Sequence, residues 1–130
     1  MLDAIKTNFI KLYPTTTVKE ALDLLTENRT NGAPVVDENG RLVGIIVKAD
    51  LFRFLMDKGH YDTCPIEWVM TKKVITANSD EDTINIAKRL RNNNIIAIPV
   101  IDENEVVIGM VTLENILDNF IELVEKNKFL

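Results

Sequence analysis

Apolar positions fall along the chain in two rhythms. Val18, Ala21, Leu22 and Leu25 recur at helical spacing and predict one buried helix face. Thr17, with Glu20 three residues later, adds a capping-box start. Ile84, Ala87 and Leu90 predict a second such face. Between and after these helices lie nearly continuous Val/Ile runs, Ala33–Val36 with Leu42–Val47 and Ile98–Ile101 with Val106–Val111. Runs of that kind suit strands covered on both faces. Shorter apolar stretches, Phe9-Ile10-Lys11-Leu12 and Val74-Ile75-Thr76-Ala77, predict a strand before each helix. Leu51, Phe54 and Leu55 mark one closing helix; Leu113, Ile116, Leu117, Phe120 and Val124 mark the other.

The two halves of this pattern are copies of each other. Residues 33–47 and 98–112 align at an offset of 65, with six of 15 pairs identical and six more exchanging apolar residues. The register continues to Asp50/Asn115 and Leu51/Ile116, and back to Ile5/Met70, Phe9/Val74 and Ile10/Ile75. The chain therefore reads as a duplication, 1–64 and 65–130, of a strand–helix–strand–strand–helix unit. The Ile84–Ala87–Leu90 face lies one residue later than the offset dictates. One residue gained before that helix and one lost after it are expected. Asn39-Gly40 predicts a tight hairpin with both residues at positive φ. Asn104-Glu105 stands there in the second copy, so a different turn is expected. Residues 57–65, punctuated by Gly59 and Pro65, read as the linker.

The chain's 130 residues suit one compact unit or two small intertwined ones. Each half is too small to bury its strands alone, so a shared core and symmetric crevices follow. No apolar run approaches the ~20 residues that span a bilayer, and the start Met1-Leu2-Asp3 lacks a signal-peptide pattern. With a single cysteine besides, the cytoplasm is the expected compartment, with no membrane partner. Net charge is −5 with basic residues scattered, which argues against a nucleic-acid partner.

Catalytic chemistry is thin. His60 and Cys64 lie four apart in the linker without further soft ligands, so neither a zinc site nor a Cys–His nucleophile is expected. Solvated loop residues are the plainer reading. The acids Asp80-Glu81-Asp82 read as helix-start charges, and Glu114 with Asp118 as a solvated helix face. The expectation is a non-enzyme.

Certain segments recur in order along the chain: Thr17-Val18-Lys19-Glu20-Ala21-Leu22, Ala33-Pro34-Val35-Val36-Asp37, Gly44-Ile45-Ile46-Val47-Lys48-Ala49-Asp50, Val69-Met70-Thr71 leading into Val74-Ile75-Thr76, Ile98-Pro99-Val100-Ile101-Asp102 and Gly109-Met110-Val111-Thr112-Leu113-Glu114-Asn115. In this order, and twice over, they resemble the cystathionine-β-synthase (CBS) domain pair. The resemblance implies an α/β fold with two repeats packed sheet to sheet about a pseudo-twofold axis. It also implies clefts that take an adenine nucleotide (AMP, ADP or ATP) or another adenosyl compound as regulatory ligand. A homodimer and an unidentified effector protein are the implied partners.

Carried over by position, one cleft would use Asp50, Val47 and Lys48 against Ile75, Thr76, Ile95 and Ile96. Asp50 would accept from the ribose hydroxyls; Val47 departs from the family's Ser/Thr. The other would use Thr112 and Asn115 against Asn8, Ile10, Thr30 and Asn31, with Asn115 in place of the acid. Helix capping is the competing role for Asp50, Asn115 and Thr112. Three functional classes remain open from sequence: a nucleotide sensor, a ligand-free interaction module, and a small enzyme using Cys64 and His60. A ferredoxin-like amino-acid sensor is the alternative fold.

Overall fold

The computed structural model describes residues 4–127; the outer ends of the expected repeats, 1–3 and 128–130, lie outside the described residues. Helix α1 (Val18–Glu27) is followed by β1 (Gly32–Val36), β2 (Leu42–Val47) and α2 (Lys48–Leu55). A 3-10 turn (Ile66–Trp68) leads into β3 (Ala77–Asn78), α3 (Thr83–Asn92), β4 (Ala97–Ile101), β5 (Val107–Thr112) and α4 (Leu113–Asn127). The expected mixed α/β pair of repeats is present. Helix α1 starts with the reciprocal cap foreseen between Thr17 and Glu20.

In each repeat the two long strands pair antiparallel, β1 with β2 and β4 with β5. The leading strand is much shorter than expected, and proline explains why. In repeat one only Leu12 pairs, parallel, with Val35. Its amide donates to the Pro34 carbonyl (3.0 Å), and the Val36 amide donates to its carbonyl (2.8 Å). The next bond upstream would need an N–H on Pro34, and the next downstream one on Pro14; proline has neither. Repeat two has Ser79 in place of Pro14, and there the pairing extends to Ala77–Asn78 against β4. Pro99 still stops it upstream, so Ile75 and Thr76 run beside the sheet rather than in it.

The halves interlock. The Lys6 amide donates to the Met110 carbonyl (2.8 Å) and Met110 returns the bond (3.0 Å). The equivalent pair, Thr71 and Ile45, exchanges two bonds of 2.9 Å. Each leading segment thus crosses to the last long strand of the other repeat. The crossings are close: a Cβ on Gly109 would lie 2.6 Å from Ile5 Cγ2, and one on Gly44 2.7 Å from Met70 Sδ. Side chains follow the exchange. Ile66, Val69 and Met70 pack in the core of repeat one; Ala4 and Ile5 pack in that of repeat two. Ile66 is fully buried, worth about 1.5–3 kcal/mol. At the centre Arg41 bridges Val106, its own equivalent. Flanking it, Leu42 donates to Glu105 and Val107 to Gly40, each at 3.0 Å, so the pseudo-twofold passes through this bridge. Strand β1 lies against β4 and β5.

Several expectations need correction. Helix α3 sits at an offset of 65 from α1, with no gained or lost residue. Its buried face is Ile86 and Leu90, the equivalents of Ala21 and Leu25, while Ile84 is 63% exposed. The two hairpin turns are alike. Asp37 Oδ1 accepts from the Asn39 and Arg41 amides, as Asp102 Oδ1 does from Asn104 and Val106. Only the fourth turn residue has positive φ: Gly40 at 81° and Glu105 at 66°. The Asx geometry therefore dominates, and Glu105 bears the strained conformation. Glu81 is no mere helix-start charge; it pairs with Arg89, which also donates to the Thr76 carbonyl (2.8 Å). His60 is tied down, its ring stacked on Phe54 at 4.0 Å with Nδ1 2.9 Å from the Phe54 carbonyl. Cys64 is buried in the first core. On α4, Leu117 and Phe120 face outward instead of inward.

Two predictions follow from this packing. Gly109→Ala is expected to destabilise the fold by about 1–3 kcal/mol, because Ile5 is branched at Cβ and cannot swing its Cγ2 aside. Gly44→Ala costs less, since the Met70 thioether can turn away. Urea midpoints at unchanged slope measure both. The Arg89 guanidinium holds the Glu81 carboxyl below its ordinary value of 4.5. Its stabilisation is complete above that value and lost as pH falls through the lower folded value. Glu81→Gln should therefore cost stability near neutral pH, with the gap to the parent closing under acid conditions in the same unfolding assay.

Candidate functional site

Two clefts open between the repeats, with volumes of about 390 and 270 Å³. They are symmetry mates: every residue lining the smaller, except Ile96, has its 65-residue equivalent in the larger. Each is walled on one side by the end of a long strand and the helix after it. The other wall is the leading segment and the turn after the first helix of the opposite repeat. That turn needs a left-handed residue in both copies, Arg29 and Asn94, each at φ 52°.

The smaller cleft centres on Asp50. Helix α2 begins after Val47, which has no hydroxyl to offer, and the helix start carries no side-chain cap bond. The Asp50 carboxylate is thereby left for the cleft, where its one partner among the described residues is Arg53 (2.7 Å). Asp50 is about a quarter exposed and Arg53 mostly exposed. Ile45, Val74, Ile75, Ile95 and Ile96 form an apolar slot beside them, and Lys73 lines the opposite wall. A carboxylate at the end of an apolar slot can accept two hydroxyl hydrogen bonds while a flat heterocycle fills the slot.

The larger cleft is built differently at that point. The Asn115 amide donates to Thr112 Oγ1 (3.1 Å), and the Thr112 amide donates to Asn115 Oδ1 (3.0 Å). This reciprocal cap is the competing role considered for both residues, and it occupies the acceptors that Asp50 leaves open. The Thr30 hydroxyl donates to the Gly32 carbonyl (3.2 Å). Around them stand Lys6, Arg29, Glu114 and Asp118.

Among the residues singled out by sequence, Val47, Asp50, Ile75, Ile95 and Ile96 come together in the smaller cleft. Asn8, Ile10, Thr30, Thr112 and Asn115 come together in the larger. Lys48, Thr76 and Asn31 do not line either. The Lys48 amide is spent on the Asn31 carbonyl (2.7 Å), the Asn31 side chain reaches Glu114 (3.5 Å), and Thr76 is held by Arg89. Sequence reasoning missed Arg53 and Lys73 as cleft residues, counted Lys6 and Arg29 only among the scattered basic residues, and read Glu114 and Asp118 as a solvated face. Projecting Asn8 through the 65-residue offset would have found Lys73; the other five have no predicted site residue as their equivalent. Among the described residues no three His, Cys, Asp or Glu cluster to hold a metal, and no helix is long and apolar enough to cross a membrane.

The CBS domain family description matches residues 2–57 and 66–122. The CBS domain pair of protein MJ0100, solved with 5′-methylthioadenosine and S-adenosyl-L-methionine, is 34% identical with a TM-score of 0.85. The match covers 95% of this chain and 98% of that one. CBSX2, solved with AMP, is 25% identical with a TM-score of 0.80 over 92% of each chain. Among curated proteins, a homoserine O-acetyltransferase of Methanococcus vannielii is 36% identical over 84% of this chain. An L-aspartate semialdehyde sulfurtransferase of Methanocaldococcus jannaschii is 36% identical over 82%. The chain spans only about a fifth of those two relatives, 22% and 20% of their lengths. With both repeats matched, in this order and with these interlocked clefts, the chain belongs to the CBS domain family, as a tandem pair.

Proposed function

We propose that the chain is a regulatory module that binds an adenosine-containing ligand between repeats 1–64 and 65–130 and passes the binding on as a change of shape. Asp50 carries this reading. Its carboxylate, free of any capping duty, stands at the end of an apolar slot sized for a heterocycle. The ribose hydroxyls bind Asp50, sharing it with Arg53, and the base lies among Ile75, Ile95 and Ile96. AMP, ADP, ATP and adenosyl metabolites all carry these groups. In the larger cleft Asn115, Thr112, Thr30, Asn8 and Ile10 present a neutral version of the same frame. That relatives of this fold were solved with AMP and with adenosyl compounds supports the ligand class.

A ligand touching both walls favours the arrangement in which they close, by its differential affinity for the two states. A coupling of about 1–3 kcal/mol is typical. The outward apolar residues Phe52 on α2 and Met56 at its C-terminal cap, with their equivalents Leu117 and Ile121 on α4, offer a face for a second copy or an effector. A soluble cytoplasmic homodimer without catalysis of its own completes the proposal. The rival is a ligand-free interaction module. The Asp50–Arg53 pair and the Thr112–Asn115 cap favour it, since both satisfy polar groups without a ligand.

Thermal shift separates the two. A ligand present at a hundred times its dissociation constant should stabilise the protein by about 2.7 kcal/mol. AMP, ATP or S-adenosylmethionine should raise the midpoint of the parent, and Asp50→Ala should lose that rise for at least AMP. No shift with any of the three would leave the interaction module standing, and an AMP shift indifferent to Asp50→Ala would remove Asp50 from the reading. Native mass spectrometry of the 14.7 kDa chain should read a dimer.

A further inference from the structure

The two clefts share a frame but not their charges. In the larger, Lys6 and Arg29 stand on the wall from repeat one, and Glu114 and Asp118 on α4 of repeat two. The two acids are four residues apart and so share a helix face. Their symmetry equivalents in the smaller cleft are Thr71, Asn94, Ala49 and Arg53, so none of the four charges is repeated. Among the described residues none of the four forms an ion pair, and the Asn31 side chain donates to Glu114 at 3.5 Å. Two cations therefore face two acids across a gap they do not close.

We infer that the larger cleft takes an adenosine derivative whose tail is a zwitterion, an ammonium with a carboxylate, while the smaller takes a phosphorylated one. This rests on the proposed adenosine frame. A carboxylate meets Arg29 and Lys6, and an ammonium meets Glu114 and Asp118, so one amino-acid-like tail bridges both walls. A phosphate there would face the two acids, and a purely cationic tail would face the two cations; repulsion rejects each. The smaller cleft has the opposite balance. Its single acid, Asp50, is already matched by Arg53, which leaves Lys73 to attract an anion.

Calorimetric titration of the full chain tests this with three probes. S-adenosylhomocysteine bears the zwitterion, 5′-methylthioadenosine is neutral, and AMP is anionic. The variants are Glu114→Gln with Asp118→Asn, and Lys6→Gln with Arg29→Gln, each checked for an unchanged unliganded melting point. Each pair should weaken S-adenosylhomocysteine by about tenfold or more, as loss of charge-assisted bonds does, and move 5′-methylthioadenosine by less than about twofold. S-adenosylhomocysteine binding should survive Asp50→Ala, which should abolish that of AMP. Equal effects on the zwitterionic and neutral probes, or S-adenosylhomocysteine binding no tighter than 5′-methylthioadenosine, overturn the inference and leave the Asp50 reading intact. AMP binding indifferent to Asp50→Ala overturns the Asp50 reading, while the zwitterion result still decides the larger cleft.

Discussion

Each repeat closes its sheet with chain borrowed from the other. The Lys6–Met110 and Thr71–Ile45 bridges, and the two glycines that let the chains approach, hold the molecule together as one object. Neither core is complete without the exchange, because Ile66 belongs to the first and Ala4 to the second. The halves cannot part without opening a core. Interfaces packed this way switch between discrete arrangements rather than deform smoothly.

The same exchange makes the clefts. A leading segment that crosses over must pass the end of the other repeat's last strand, where a helix begins. That helix start is where a single residue decides the local chemistry. With a hydroxyl there, Thr112, the helix caps itself and Asn115 is consumed. With Val47 there, the equivalent acid is left to the crevice. Duplication supplied two equal frames, and the Thr112/Val47 and Asn115/Asp50 differences make their helix starts unequal.

Much of this was legible along the chain. The long strands, both hairpins and the pairing of the clefts followed from the 65-residue offset, because pairing partners repeat when the sequence does. The errors have physical causes. An apolar stripe ending at Leu90 can be drawn back through Ala87 or Ile86, and periodicity alone does not choose; the larger side chain won the core. Asn-Gly suggested a two-residue turn, but Asp37 Oδ1 captures two amides and builds a four-residue turn instead. The Glu105 backbone followed suit because Asp102 does the same. The charges at Lys6, Arg29, Glu114 and Asp118 read as solvated because they are; that they face one another across a gap depends on the crossing of chains.

The prolines that cut short the leading strands have one more consequence. Pro34 and Pro99 each lack the one backbone N–H that would ladder the sheet to the stretch ahead of Leu12 and Ala77, where residues 8–10 and 73–75 line the crevices. Those walls are extended chain with no ladder to break, mounted on a frame that is laddered throughout. Mechanically, the lining is a soft spring set in a stiff bracket. Displacing that stretch breaks no ladder bond, whereas displacing the bracket does.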